Sequence, residues 1–418
     1  MVRNGGWSLV GALLSWSVVA HADPWTFGER LPVTAGGKAG TFHHLESAGR
    51  KNVAVSGGMV AVIWEDNRSG VSQVYVAYKL SGAKAFSHER RVSAAAPGSE
   101  KIAAYEPVIA ALPGGRFLMG WEQGDAVWAR TGGPGSLDPP VKLSSAEAGQ
   151  IALAARGEQA YAAWAQRQGR FRQIVATALT VSGRGVAVKA APAQAVDTTA
   201  THEQLYPSVV MAAEGVTLAW EDRRHGHTVL LTSHAKPGKR FGAAKGLNEL
   251  VQKSSLYGAG NGVMRVTLAA AGAREIAAVW LDKRGYSTGY DVYGATSRDG
   301  GQSFGKNQMV QDSFGDNFTQ WHPAVDGNSR GDLVVVWDDD RDGSPDILMS
   351  WRTPTGWHEN TSPLPASGDG LQTSPSIAVD AAGDLHLVWV DSPDKGKPTA
   401  LYYSLGRRNS PTPGAGVR

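Results

Sequence analysis

The stretch Leu333-Val334-Val335-Val336-Trp337-Asp338-Asp339-Asp340-Arg341-Asp342-Gly343 decides the fold. Its apolar run is long enough for a strand covered on both faces, and its acid- and Gly-rich end reads as a turn. Upstream, Pro323-Ala324-Val325-Asp326 opens a short strand and Gly327 to Gly331 turns. Downstream, Asp346 to Arg352 alternates as a third strand, and a Gly-containing turn leads through Trp357 to a fourth. Four antiparallel strands in roughly 50 residues make one blade of a propeller.

The run recurs. Trp64, Trp121, Trp164, Trp220, Trp280, Trp337 and Trp389 each end an apolar stretch, with gaps of 43 to 60 residues between them. A period of that size marks stacked units, none of which buries its apolar face alone. The outer strand begins with an aromatic and has an apolar residue six later, as in Phe86 and Val92, Phe241 and Leu247, and Phe304 and Val310. The last unit stops near Leu405 without that strand, whereas Phe27-Gly28 and Val33 supply its equivalent at the other end of the chain. The sequence therefore predicts an all-β, seven-bladed β-propeller closed by its N-terminal strand, which removes exposed sheet edges. A six-bladed or open ring is the alternative, with the unit around Trp164 degenerate because it lacks the Pro and Asp of the others.

Residues 1–22 read as a signal peptide: Arg3, an apolar run from Val10 to Ala20, and Ala20-His21-Ala22 as the cleavage site. Residues 23–408 form the propeller, and the Pro/Gly-rich 409–418 read as a disordered tail. The expected location is periplasmic or secreted, without a membrane span. With no Cys, disulfides and thiolate metal sites are excluded. A net charge of +3 with scattered basic residues gives no support to nucleic-acid binding. A monomer that binds a glycan or an envelope protein is the expected partnership.

Within a blade, strands A to D run from the axis outward. Loops B–C and D–A share the top face, where ligands of propellers bind. Asp66, Asp222, Asp282, Asp339 and Asp391 recur two residues after their Trp, and Arg68, Arg224, Arg284 and Arg341 recur after them. Such repetition reads as scaffold, a short acid capping a hairpin beside an Arg. The alternative is a charged ring holding a polar ligand. The D–A loops entering blades 4, 5 and 6 differ from one another and offer His202, Glu203 and Tyr206, then Tyr257 and Asn261, then Trp321 and His322. Tyr105 and Glu106 echo them in blade 2. Aromatics with His, Glu and Asn suit a polar-ligand pocket, unless the aromatics seal seams between blades. His202, Glu203 and His322 are also acid–base candidates. Zinc on the same histidines lacks an identifiable third ligand. Calcium is the one cofactor the sequence suggests: Asp338, Asp340, Asp342 and Gly343 match positions 1, 3, 5 and 6 of a calcium loop, with Asp346 at 9 but Met349 at 12.

Ser297-Arg298-Asp299-Gly300-Gly301-Gln302-Ser303-Phe304 resembles the Asp box of the sialidase superfamily, S-x-D-x-G-x-[ST]-[WF]. The resemblance implies a structural turn in a C–D loop, away from the active site. It spans residues 25–408 as architecture. Catalytic members open blade 1 with Arg-Ile-Pro, whose Arg grips the sugar carboxylate; the matching stretch here is Gly49-Arg50-Lys51-Asn52-Val53, without Pro. Arg30-Leu31-Pro32 looks similar but falls on an outer strand. Arg50, Asp66, Glu203, Arg265 and His322 are the catalytic candidates. The expectation is a top-face binding protein without sialidase activity. A sialidase-type glycoside hydrolase is the alternative, and a propeller polysaccharide lyase using His and Tyr is a third reading.

Overall fold

The computed structural model describes residues 23–34, 40–45, 49–93, 98–181, 188–249, 262–284, 289–312 and 318–410. Residues 1–22 and those from 411 onward lie outside them, as do Tyr257 and Asn261.

Seven antiparallel sheets follow one another along the chain, and the first six place their strands in sequence order from the axis outward. Blade 6 shows the logic. Strand A (Gln320–Gly327) pairs with B (Leu333–Asp339), B with C (Asp346–Thr353), and C with a short D (Gly356–Trp357). Strand B is buried along its whole length, because neighbouring blades cover both of its faces. All seven repeating tryptophans have no exposed surface. The core is a set of clusters, most of them spanning the seam between two blades. No helix among the described residues is long and apolar enough to cross a membrane.

The ring closes with the N-terminal segment. Trp25–Phe27 pairs with Gly406–Arg408, and Leu31–Pro32 with Tyr402 and Tyr403, as the outer edge of blade 7. Trp25 anchors it: the ring meets Trp351 edge-on at 5.6 Å and its Nε1 donates to the Gly383 carbonyl at 2.7 Å. Arg30 lies on this outer edge, 4.6 Å over the Tyr402 ring and 3.4 Å from Asp391. The unit around Trp164 is a complete blade, with A (Ala148–Arg156), B (Gln159–Gln168) and C (Phe171–Thr180) followed by two short outer pieces.

The hairpin acids are held inside the scaffold. In five blades the tryptophan Nε1 donates to the side chain two residues on: Asp66 at 2.8 Å, Gln123 at 3.4 Å, Gln166 at 3.2 Å, Asp282 at 3.0 Å and Asp339 at 3.0 Å. In blades 2 and 3 an amide thus replaces the acid. The recurrent arginines close on the same acids, Arg68 on Asp66 and Arg284 on Asp282 at 2.6 Å, Arg224 on Asp222 at 2.8 Å and Arg341 on Asp339 at 2.9 Å.

The Ser297–Phe304 turn sits between blades 4 and 5. Asp299 accepts from the backbone N–H groups of Gln302 and Ser303, both at 3.0 Å, and from the Ser303 hydroxyl at 2.6 Å. Burial works against its charge, but these hydrogen bonds outweigh burial and hold the carboxyl far below the usual range. Gly301 is required: at φ +95° a Cβ would stand 1.9 Å from the Thr217 hydroxyl.

Blade 1 departs from its siblings. Its inner strand is split into His43–His44 and Val53–Ser56. Between them, residues 49–52 lie across the axis and touch all six other blades. Gly49 abuts Ser208 of blade 4 and the Val266 carbonyl of blade 5. Arg50 Nε donates to the Ile151 carbonyl of blade 3 at 2.7 Å. The Lys51 carbonyl accepts from Ile109 of blade 2 at 2.9 Å, and its amine pairs with Asp326 of blade 6. Asn52 bonds the Ser376 hydroxyl of blade 7 at 3.0 Å and the Pro107 carbonyl at 3.2 Å. This plug divides the axial space. On the A–B face it leaves a cavity of 670 Å³, walled mainly by small apolar residues such as Ala54, Ala110, Ala154 and Ala378.

Candidate functional site

Each inner strand of blades 2 to 7 carries a bulge at the same place, near its top end. The bulged residue has a positive φ although it is not glycine: Glu106 (51°), Gln150 (61°), Tyr206 (50°), Arg265 (61°), His322 (49°) and Ser374 (52°). Gly49, at 71°, stands 15 residues before its Trp, as Glu106, Arg265, His322 and Ser374 do, and completes the ring. A bulge re-aims a side chain, and a left-handed φ outside glycine marks a conformation held by its surroundings.

The holding group comes from the neighbouring blade. The residue directly after the repeating Trp alternates to the opposite side from the scaffold acid. Where it is acidic, it accepts the backbone N–H of the next bulge. Glu65 accepts from Glu106, Glu122 from Gln150, Glu221 from Arg265 at 2.9 Å, and Asp338 from Ser374 at 3.1 Å. Blade 3 has Ala165 there, and the Gln150 side-chain oxygen takes over the Tyr206 N–H at 2.8 Å.

These groups converge most closely over blades 2 and 3. A groove of 440 Å³ is lined by Tyr105, Glu106, Glu122, Gln150, Glu147 and Arg172, among others. Arg50 lies beneath it with its side chain fully buried, and its guanidinium meets the Glu106 carboxylate at 2.6 Å. Glu122 is in hydrogen-bond contact with Glu106. Burial, then the Glu106 charge, push the Glu122 carboxyl up to about 8, against the pull of Arg50 and the Gln150 N–H. Near neutral pH Glu122 therefore keeps its proton, beside the Glu106 side chain that Arg50 clamps. The result is a hydrogen-bond donor beside an acceptor at the floor of a groove whose rim carries Tyr105, 46% exposed.

This protonation makes the fold pH-dependent. In the unfolded chain Glu122 ionises near 4.5; in the folded chain it holds its proton up to about 8. The folded state therefore binds more protons between those values, and the stabilisation present below the lower one is lost as pH rises through the upper one. Thermal melts from about pH 5 to about pH 9 should show a falling Tm for the native chain and a flatter profile for Glu122→Gln.

The remaining candidates are spread around the ring. Arg265 lies 4.3 Å over the Tyr206 ring. Trp321 packs on Tyr290 at 5.4 Å, and His322 Nδ1 meets Asp338 at 2.8 Å with the imidazole side chain 37% exposed. Glu203 accepts the Arg172 N–H at 3.3 Å at the far edge of the groove, and exposed His202 stacks on Phe171 at 5.8 Å. His202, Glu203 and His322 thus make separate contacts with Phe171, Arg172 and Asp338. Asp66 is 1% exposed and closed off behind Trp64 and Arg68. Of the calcium-loop carboxylates, Asp338 faces His322 and Ser374, Asp346 accepts from the Gly368 N–H at 3.2 Å, and Asp340 lies near Asp338 as Asp342 lies near Asp346. Among the described residues no group of three or more His, Cys, Asp or Glu is arranged to hold a metal.

Glu122 and Gln150 were missed by sequence reasoning. The signal was present: the residue after each Trp varies, as Glu65, Glu122, Ala165, Glu221, Leu281, Asp338 and Val390. Variation between repeats marks a site better than repetition does. The more regular acid one position further on drew attention from it.

The fold and the top-face groove define the chain as a seven-bladed β-propeller with a cluster of two half-buried glutamates over a buried Arg50 at the end of its axis. No family model matches the chain, and no curated protein matches it in sequence. Solved structures do share its architecture. The β-propeller domain of the Trilobed protease from Pyrococcus furiosus, described as having an open velcro topology, is 9% identical, with a TM-score of 0.52 over 89% of this chain and 96% of that one. Glycoside hydrolase propellers are also among them. An α-L-arabinanase from Penicillium chrysogenum complexed with arabinobiose is 13% identical, with a TM-score of 0.49 over 72% of this chain and 92% of that one. An α-L-arabinofuranosidase from Fusarium graminearum is 12% identical, with a TM-score of 0.46 over 70% and 89%. At these identities the likeness is one of fold alone.

Proposed function

We propose that this chain is an exported carbohydrate-recognition propeller whose polar sugar ligand lies in the groove over Tyr105, Glu106, Glu122 and Gln150. The observation that carries this reading is the Arg50–Glu106–Glu122 cluster. A neutral carboxylic acid donates one hydrogen bond, the adjacent carboxylate accepts, and the Gln150 amide can do both, which matches the alternating demands of vicinal hydroxyls. Exposed Tyr105 supplies an apolar ring face at the rim. The leader-like residues 1–22 support a location in the periplasm or outside the cell, with a glycan or glycan-bearing envelope component as the proposed partner.

The same geometry favours recognition over hydrolysis. Two-carboxylate glycosidases keep the groups about 5–5.5 Å apart for retention, or about 6.5–9.5 Å for inversion. Glu106 and Glu122 are in direct hydrogen-bond contact, so no sugar carbon fits between them. A sialidase-type site is also disfavoured. Arg50 stands where that family's carboxylate-gripping Arg would be, but it already holds Glu106, and Arg265 is engaged with the Tyr206 ring. Kinship with the sialidase superfamily, carried by the Ser297–Phe304 turn, is therefore proposed as one of architecture.

A glycan-array screen tests this. The native chain should retain neutral oligosaccharides and release no reducing ends from them. Tyr105→Ala should weaken binding roughly tenfold, the scale expected for one buried ring contact of about 1–1.5 kcal/mol. Glu122→Gln, which keeps a donor and an acceptor, should bind nearly as well, and Glu122→Ala should not. Retention unchanged in both Tyr105→Ala and Glu122→Ala would remove the ligand from this groove.

A further inference from the structure

A second groove lies away from the proposed sugar site. It runs between the C–D hairpin of blade 4 and the Ser297–Phe304 turn of blade 5, on the face opposite the bulged residues. Its volume is 350 Å³, and Lys236, Lys239, Arg240 and Lys245 line it together with His234 and Gln302. All four cations are exposed. No carboxylate lines it. Four positive charges around one depression exceed the net charge of the whole chain, +3. The charge is therefore concentrated here and offset elsewhere.

Carboxylates that could neutralise the groove are committed to other partners. Asp299 is spent on the backbone and hydroxyls of its own turn. Glu214 pairs with Arg274 at 3.1 Å, and Glu249 with Arg284 at 3.7 Å. Among the described residues, Lys236, Lys239, Arg240 and Lys245 form no ion pair. Lys245 donates instead to the Gln302 carbonyl at 2.8 Å, which ties the hairpin to the turn and fixes one wall. The adjoining depression adds Arg298 and Lys306 on the same side. Like charges brought together on a fixed surface repel one another unless a counter-charge joins them. Arg supplies a planar fork for oxygen pairs, and Lys supplies point charges around it.

We propose that this groove binds a multiply charged tetrahedral oxyanion, a phosphate or sulfate group. Such a group brings several oxygens and more than one negative charge into a space that four cations surround. The phosphate has two sources with the same chemistry, the free anion or an anionic lipid headgroup. The inference is independent of the sugar site and survives its failure.

The test uses the full chain at constant ionic strength. Calorimetric titration with inorganic phosphate is run beside co-sedimentation with phosphatidylcholine vesicles, with and without phosphatidic acid. Lys239→Glu/Arg240→Glu should lower affinity at least roughly tenfold in whichever arm binds, and added salt should weaken it. Lys84→Glu is the control, an exposed charge reversal on the C–D hairpin of blade 1 that should change affinity less than about twofold. Saturable phosphate binding without vesicle binding identifies the free anion as the source. Binding to the phosphatidic acid vesicles beyond that to phosphate identifies a lipid surface. No binding in either arm, or an equal loss in the Lys84 control, overturns the proposal. Should the double reversal lower the melting temperature, Lys239→Ala/Arg240→Ala gives the same reading without introducing negative charge.

Discussion

Replacing Gly49 by valine is expected to destabilise the whole ring by about 3 kcal/mol or more, a large share of what holds a domain folded. Two terms add. At φ +71° a β-branched residue is strained, and a Cβ there would stand 2.6 Å from the Ser208 Cβ and 2.8 Å from the Val266 carbonyl. Neither neighbour has room to yield, because Ser208 Oγ accepts the Leu268 N–H at 3.0 Å and Val266 is fully buried. The damage would spread, since residues 49–52 touch every other blade. Gly70 is the control. It also has a positive φ, 91°, but nothing lies within 4 Å of where its Cβ would be. Gly70→Val should therefore show only the backbone term, about 1–2 kcal/mol. Urea midpoints at constant slope separate the two. Equal losses at both positions would mean that the plug is not packed as described. Because Arg50 follows Gly49, a shifted plug should also weaken sugar binding.

Removing residues 23–34 is expected to prevent a soluble, cooperative fold. The deletion uncovers the edge of the last strand, Ala400–Arg408, and strips the cover from Trp351 and Tyr403. It also removes Trp25, whose loss alone is worth about 3–5 kcal/mol by the usual cost of truncating a large buried aromatic. The register makes a rescue possible. Trp25 pairs antiparallel with Arg408, so the same segment placed after Arg408 behind a short Asn-Gly turn can fold back as an ordinary hairpin. Size-exclusion chromatography and thermal melts should show aggregation for the deletion and a cooperative monomer for the rearranged chain. A soluble, cooperatively melting deletion would show that closure is dispensable.

The fold was legible because a propeller repeats its instructions. Seven Trp-ended runs gave the blades, and an aromatic followed by an apolar residue six later gave the outer strands. Phe27 and Val33 then located the closing segment without reference to any contact. The blade around Trp164 read as weak because its Gln166 does by hydrogen bonding what an acid does elsewhere. The site was legible only in part. Arg50, Tyr105 and Glu106 stood out by type and position, but the separation of Glu106 from Glu122 along the chain hides their contact. No local pattern shows that residues 49–52 cross the axis, because that path is set by six distant blades. Asp66 attracted attention as an acid at a loop, yet its environment is closed by its own Trp and Arg. His202 and Trp321 fell on the expected face but pack on Phe171 and Tyr290, away from the Glu106–Glu122 pair.

The most direct test of the account is where a sugar lies. A neutral oligosaccharide retained on the array should be soaked into crystals of the protein and its position determined by diffraction. The account predicts density over the Tyr105 ring, with hydroxyls bonded to Glu122, Glu106 and Gln150. Density confined to the wall formed by Trp321 and His322, or to the cavity on the far side of the plug, would contradict it.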